Sequence, residues 1–211
     1  MRNEFDPLDH RIRFVKLKLE RDVLPIPDAV LPDGFHFVFY QPGDRDAWIV
    51  IEQSAGEFSS YEEGIQAWNT YFEPWASMLE ERMLFIEDSN GHKVATGSVW
   101  FDVHGIDTSP DAWMHWVAVS KNAQGNGLSK PLIAKLLSRM DELGFTHVKL
   151  PTQTTTWLAC RIYLDFGFRP TKENWQNSIL GWRIIKTLTN HPALSTLTPC
   201  DREELLASDN T

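Results

Sequence analysis

The chain has 211 residues, of which 42% are hydrophobic, and it carries a formal net charge of −9. This length fits one compact domain with extensions, and the apolar content excludes a wholly disordered chain. The negative charge argues against nucleic acid as a partner, because that binding relies on Lys and Arg at the phosphates. An acidic surface could attract a cationic amine, although solubility is the simpler use of the charge.

Residues 1–14 lack the continuous apolar segment that a secretory signal needs, and no stretch approaches the ~20 apolar residues that span a bilayer. Cys160 and Cys200 are too few for a disulfide scaffold or a structural zinc site. No pair of histidines has metal-ligand helical spacing. We therefore expect a soluble, cytoplasmic protein with no membrane partner and no metal.

The N-terminal arm and a Pro-rich connector are predicted over residues 1–34. Residues 11–20 alternate apolar and basic side chains, which is typical of an added strand. Three prolines exclude a regular helix from residue 24 to 34, because each ring fixes φ and removes a donor. A C-terminal tail is predicted over residues 191–211, with a short helix at 201–207.

The main domain is predicted over residues 35–190, and its first half is expected to hold a strand, two helices and a hairpin. The strand is predicted at 35–40, the helices at about 44–53 and 61–75, and the hairpin strands at 83–87 and 93–103. The hairpin is predicted from Asn90-Gly91, since both residues tolerate positive φ.

A central strand is predicted at residues 112–120, because it is apolar on both sides. Strict alternation would place Trp113, His115, Val117 and Val119 on one face, and Met114, Trp116 and Ala118 on the other. A long amphipathic helix follows and ends at Gly144, a natural C-cap. A strand at 147–150, a helix at 157–166 and a final strand at 182–188 complete a mixed α/β fold around one sheet.

A glycine-rich turn, Gln-Gly-Asn-Gly-Leu-Ser at residues 124–129, connects the central strand to the long helix. Such a turn presents backbone N–H groups at the positive end of the helix dipole, which suits an anionic phosphate. Glycines also serve as ordinary turn residues, so the turn alone is weak evidence. The dinucleotide fingerprint and the P-loop are excluded, because a third glycine and a Gly-Lys-Ser/Thr sequence are missing.

This segment resembles the GNAT superfamily of acetyltransferases. The central motif of that family is Gln/Arg-x-x-Gly-x-Gly/Ala after a strand that ends in aliphatic-x-Val, and residues 117–119 and 124–129 match it. The next family motif places an Ala four residues before a Tyr, with Gly-Phe closing the helix; Ala159, Tyr163, Gly167 and Phe168 match it. The resemblance is clearest over residues 93–170. It implies a central mixed, mostly antiparallel sheet flanked by helices.

Three residues depart from the family pattern. Ser129 replaces the last Gly or Ala of the motif, and Thr156 stands where the family often has Asn. Pro131 would break an established helix, so we expect regular helix to begin no earlier than about Leu128, where the proline falls in the first turn.

The resemblance implies an N-acetyltransferase that transfers an acetyl or other acyl group from acetyl-CoA to a small-molecule or peptide amine by direct attack. It implies coenzyme A contacts at Val117, Ala118, Val119, Gln124, Gly125, Asn126, Gly127, Leu128, Ser129, Thr156 and Ala159. A non-catalytic acyl-CoA-binding regulator and a binding module without coenzyme A stay open as alternatives. A homodimer also stays open.

Tyr163 matches the general acid of the family, a phenol that protonates the departing thiolate. His115 lies on the strand where many members carry a Glu, and an imidazole ordinarily titrates near neutrality, which suits a general base. A lone His between Trp113 and Val117 is more often a structural residue, and that role stays open beside the base. Asp111, His104 and Asp102 are weaker candidates for the base. Trp48, Trp68, Trp75 and Trp100 are interpreted as core residues or as the lining of an acceptor pocket.

Overall fold

A computed structural model describes residue 6 and residues 8–101, 111–173 and 175–207. The chain divides into two compact units. The central unit is Asp22–Val148, and the terminal unit combines Met1–Arg21 with Lys149–Thr211.

Seven strands and seven α-helices lie within the described residues. The strands are β1 (Lys16–Asp22), β2 (Phe35–Phe39), β3 (Met83–Asp88), β4 (Lys93–Trp100), β5 (Asp111–Val119), β6 (His147–Gln153) and β7 (Arg169–Pro170). The helices are α1 (Arg45–Ala55), α2 (Tyr61–Tyr71), α3 (Leu79–Arg82), α4 (Ser129–Glu142), α5 (Trp157–Asp165), α6 (Trp175–Thr189) and α7 (Arg202–Leu205). No described helix combines the length and the apolar content that crossing a membrane requires.

The central unit contains an antiparallel sheet in the order β2-β3-β4-β5. The predicted hairpin at Asn90-Gly91 joins β3 to β4 and is confirmed. Gly91 has φ +78°, and one carboxylate oxygen of Asp88 accepts hydrogen bonds from the N–H groups of Asn90 and His92, each at 2.9 Å. The turn residues therefore determine where the strands reverse.

Helices pack on both faces of this sheet. On one face, Trp48 of α1 is fully buried and meets Phe72 edge-on, with ring centroids 5.2 Å apart. On the other face, a Cβ atom at Gly97 of β4 would lie 2.7 Å from Cδ1 of Leu136 in α4. Because no larger residue fits there, glycine permits the close approach of α4 to the sheet.

In the terminal unit, β7 pairs with β1 in antiparallel fashion, and Leu19 lies opposite Pro170. α6 approaches β1 and the residues before it closely, since a Cβ atom at Gly181 would lie 2.7 Å from Leu17 and 2.9 Å from Val15. α7 begins with a capping box between Asp201 and Glu204. This cap explains the short helix predicted at 201–207.

The final strand predicted at residues 182–188 is wrong, because these residues belong to α6. The buried residues of α6 recur at helical spacing: Ser178, Gly181, Trp182, Ile184 and Ile185. The segment is rich in β-branched residues, which favour a strand locally. Packing of its apolar stripe overrides that preference.

The other predicted elements are present with shifted ends. α2 ends at Tyr71 instead of residue 75, and a 3₁₀ helix with Pro74 in its first turn follows at Glu73–Met78. β4 ends at Trp100, while the predicted continuation to residue 103 lies outside the described residues. Helices and strands are mixed as predicted, and the β1–β7, β2–β3, β3–β4 and β4–β5 pairs, whose registers are defined within the described residues, are antiparallel.

Candidate active site

The glycine-rich turn lies between β5 and α4 in the central unit. Gly125 and Gly127 have φ angles of +83° and +78°, a region that glycine adopts without steric cost. Two side chains hold the turn: Gln124 Nε2 donates to the carbonyl oxygen of Val119 at 3.1 Å, and Asn126 Nδ2 donates to that of Ala123 at 3.0 Å. α4 begins at Ser129 with Pro131 as its third residue, as the position of the proline predicted.

The backbone N–H groups of this turn are the main chemical feature of the central unit. The amide of Gln124 donates to the carbonyl oxygen of Ser120 at 3.1 Å. The amides of residues 125–129 donate no hydrogen bond within the described part of the chain, and residues 124–127 are exposed. The first N–H groups of a helix have no partner inside the helix. The turn therefore offers clustered donors at the positive end of a 14-residue helix, which fits the diphosphate of a nucleotide.

The predicted alternation along β5 is wrong beyond His115, because the strand contains a bulge. The register with β4 shifts between Thr96 and Ser98, and Trp116 has φ +53°, which is rare for a residue other than glycine. Trp116 and Val117 thus share one opposite residue, Gly97.

The bulge changes which β5 side chains share a face. Ser98 lies opposite His115 and Thr96 lies opposite Ala118. Since Thr96 and Ser98 share one face of β4, Ala118 shares a face with His115. Val117 points to the opposite face, where its Cγ2 atom would lie 3.5 Å from a Cβ atom at Gly97.

His115 is 7% exposed, and its ring stacks on Trp113 with centroids 5.7 Å apart and an interplanar angle of 17°. Of the weaker candidates for the base, Asp111 opens β5 and is half-buried. Asp102 and His104 lie outside the described residues. The assignment of the general base stays a prediction.

Tyr163 lies in α5 of the terminal unit and is 6% exposed. Its carbonyl oxygen accepts from Phe168 N–H at 3.1 Å, and that of Leu164 accepts from Gly167 N–H at 3.1 Å. These two bonds, with Gly167 at φ +84°, form a Schellman motif. The Gly-Phe pair predicted to close the helix also packs on the tyrosine, because the Tyr163 and Phe168 rings are 6.0 Å apart.

Thr156 and Ala159 lie at the start of α5. Thr156 donates from Oγ1 to the carbonyl oxygen of Gln153 at 3.0 Å, and Ala159 is half-buried. Cys160 is fully buried, and this burial raises the pKa of its thiol to about 12. Cys160 is therefore a packed core thiol, because a thiol with so high a pKa is a poor nucleophile.

The tryptophans serve mainly as core residues. Trp48, Trp68 and Trp100 are at most 4% exposed and belong to one aromatic cluster, whereas Trp75 is half-buried at its edge. Trp116 also contacts this cluster, which was not predicted; its half-buried ring lies 5.7 Å from that of Phe58 and 5.4 Å from that of Tyr71. No pattern in the sequence predicts the bulge that turns this ring toward α1 and α2.

The helix-flanked sheet and the turn of clustered amides define a mixed α/β protein with a strand-to-helix turn whose amides at residues 125–129 have no acceptor in the described part of the chain. Residues 47–168 match the model of the Acetyltransferase (GNAT) family. This match covers more than half of the chain, and the chain belongs to that family.

Eight curated relatives with a significant match are named mycothiol acetyltransferase. The protein from Acidothermus cellulolyticus is 28% identical over 189 residues, which cover 80% of this chain and 54% of the relative. The protein from Salinispora tropica is 31% identical over 171 residues, which cover 76% of this chain and 53% of the relative. The chain thus spans about half the length of the curated relatives it matches.

Solved structures share the fold at low sequence identity. A GCN5-related N-acetyltransferase from Sphaerobacter thermophilus has a TM-score of 0.59 at 19% identity, over 76% of this chain and 49% of that chain. A tandem GNAT protein from the clavulanic acid biosynthesis pathway has a TM-score of 0.54 at 17% identity, over 76% of this chain and 52% of that chain. These likenesses confirm the fold class.

Proposed function

We propose that the protein is an N-acetyltransferase that transfers an acetyl group from acetyl-CoA to a primary amine by direct attack. The observation that carries the proposal is the row of amides at residues 125–129, which donate to no described part of the chain. This row lies at the N-terminus of α4 and inside the region that matches the family. A diphosphate is a suitable acceptor for such a row.

The residues of the turn and of β5 are proposed to hold coenzyme A. The turn at residues 124–129 binds the diphosphate through the amides of residues 125–129, and the backbone of residues 117–119 lies beside the pantetheine arm. Thr156 and Ala159 are proposed as further coenzyme A contacts. The amine then attacks the thioester carbonyl, and backbone N–H groups stabilise the oxyanion that forms.

Tyr163 is proposed as the general acid that protonates the departing coenzyme A thiolate. The Schellman motif after α5 supports this proposal. The N–H group of Phe168 donates to the carbonyl oxygen of Tyr163, and this hydrogen bond holds the backbone of the tyrosine in place. His115 is proposed as the general base that removes a proton from the amine. Its burial and its stacking on Trp113 also fit a structural role, the more common one for a lone His among apolar residues.

The acceptor is proposed to be a small-molecule amine. The relatives are named mycothiol acetyltransferase, so the amine substrate of those enzymes is the first acceptor to test. Peptide amines form the second group.

Release of coenzyme A thiol from acetyl-CoA, measured with a panel of amines, tests the proposed function. An enzyme releases thiol in proportion to acetylated amine. A non-catalytic regulator would bind acetyl-CoA, seen as a raised thermal midpoint, without releasing thiol above the background with any amine. The match to an acetyltransferase family favours the enzyme.

We propose three segments in the chain: an arm at 1–34, the acetyltransferase domain at 35–190 and a tail at 191–211. Limited proteolysis with mass spectrometry tests them. Light scattering of the purified chain tests the proposed homodimer.

A further inference from the structure

The terminal unit contains a cleft of about 550 Å³ that includes none of the residues proposed for acetyl transfer. Its lining comprises Arg169, Pro170, Lys172, Trp175, Ala193, Leu194, Thr196 and Leu197. Ligand sites typically have volumes of roughly 300–1,000 Å³ and mostly apolar linings with a few polar groups. The cleft therefore has the size and the composition of a small-molecule site.

The apolar wall of the cleft is held by short-range hydrogen bonds. Leu194 is 2% exposed, and its carbonyl oxygen accepts from Leu197 N–H at 3.1 Å. His191 Nδ1 accepts from Ala193 N–H at 3.1 Å, while its Nε2 atom lies 3.2 Å from a carboxylate oxygen of Asp165. These contacts fix the wall before any ligand binds.

The opposite side is formed by the edge strand and the start of α6. Pro170 of β7 pairs with Leu19, and Thr171 N–H donates to the carbonyl oxygen of Lys18 at 3.1 Å. Trp175, the first residue of α6, is half-buried, so part of its indole surface is available to a ligand. A flat indole surface beside leucines suits a planar apolar group.

Two cationic side chains line the cleft, and both residues are exposed. Arg169 donates from Nη1 to the carbonyl oxygens of Leu164 at 3.2 Å and Phe168 at 2.7 Å, which leaves its positive charge without a carboxylate partner in the described residues. Lys172 likewise has no acidic partner among the described residues. The neighbouring carboxylate of Glu173 binds Lys18 instead, at 3.0 Å. The cleft thus has a positive charge that an anionic ligand can neutralise.

We propose that this cleft binds a small organic anion with a planar aromatic body, whose carboxylate pairs with Lys172 and Arg169 while its ring packs on Trp175 and Leu194. The cleft contains none of the residues proposed for acetyl transfer, so the inference does not depend on the proposed enzymatic activity.

Isothermal titration of the full chain with indole-3-acetate tests the proposal. We expect saturable binding to one site, and weaker binding of the neutral analogue indole-3-acetamide. Lys172→Gln should weaken indole-3-acetate binding about threefold to fivefold, the upper part of the range for an exposed ion pair. Lys16→Gln removes the same charge from an exposed position on β1 outside the cleft, and it should leave the affinity unchanged.

Trp175→Leu should weaken binding about tenfold, because the ring of the ligand loses the aromatic surface on which it packs. Circular dichroism checks that this variant is folded, and Lys172→Gln tests the proposal independently of that result. Absence of saturable binding would overturn the proposal. Equal affinity for the acid and the amide, or equal weakening by Lys172→Gln and Lys16→Gln, would overturn it as well.

Discussion

The hydroxyl group of Ser98 donates a hydrogen bond of 3.0 Å to the carbonyl oxygen of His115. The two residues lie opposite each other across β4 and β5, directly before the bulge at Trp116. Ser98 is fully buried, so this bond is shielded from water. This hydrogen bond holds the backbone of His115 in place and does not involve its imidazole. The role of the imidazole is tested by pH-dependent kinetics.

We predict that His115→Gln lowers kcat/KM about a hundredfold, the scale of general base catalysis. The acidic limb of the pH–rate profile should disappear, because the group that must be deprotonated for attack is gone. Steady-state rates measured across the pH range check this, and His92→Gln in the exposed hairpin is the control. An acidic limb that persists in His115→Gln would exclude His115 as the base.

We predict that Gly127→Asp raises the dissociation constant of coenzyme A at least tenfold, because a carboxylate then faces a diphosphate of the same sign. Gly91→Asp is a matched control, since Gly91 has the same φ of +78° and lies in the hairpin. Both variants should lose similar stability, and Gly127→Asp alone should lose affinity in equilibrium titrations. Unchanged affinity would contradict the assignment of the turn.

Tyr163→Phe should lower kcat about a hundredfold or more, because the leaving thiolate loses its proton donor. Binding of acetyl-CoA should stay within about twofold, since the ring and its contact with Phe168 are retained. Turnover and equilibrium binding measured on the same preparation separate the two effects. Tyr71→Phe serves as the control, and an equal kcat for the two variants would remove Tyr163 from the mechanism.

Glu52 of α1 makes the stability of the fold depend on pH. It is 1% exposed, and within the described residues its Oε1 atom has no hydrogen-bond partner. Burial, with a further contribution from the charge of Glu57, raises its pKa well above the ordinary value of 4.5. The unfolded chain therefore releases this proton at a lower pH than the folded protein does.

From this shift we predict that the Glu52 contribution to stability is fully present below pH 4.5 and is lost as the pH rises toward the folded-state pKa. The slope is about 1.4 kcal/mol per pH unit over that window. Urea denaturation of wild type and Glu52→Gln across this pH range measures the difference in stability between them, and Glu62→Gln, at an exposed position of α2, is the control. Parallel stability profiles for wild type and Glu52→Gln would contradict the prediction.

The parts of the site whose backbone conformation depends on neighbouring residues in the sequence could be predicted. The glycines of the turn, Pro131 in the first turn of α4 and the Gly167-Phe168 pair after α5 each specify a backbone conformation by themselves. Their structures agree with the sequence-based expectations.

Features set by distant contacts could not be predicted. The strand predicted at residues 182–188 is wrong although the β-branched residues there favour one locally, because the helical packing of α6 depends on Gly181 fitting against Val15 and Leu17. The bulge at Trp116 places a large residue at positive φ, which local preference disfavours. The burial of Glu52 likewise depends on how α1 packs, and no local sequence pattern predicts it.

A single-turnover reaction tests the central claim most directly. The full chain is mixed with acetyl-CoA and the amine substrate of mycothiol acetyltransferases, and mass spectrometry quantifies acetylated amine and free coenzyme A together. The proposed function predicts that both products accumulate in equal amounts and that Gly127→Asp slows both, while Gly91→Asp slows neither. Acetyl-CoA that binds and stays intact in the presence of this amine and of every amine in the panel would contradict it.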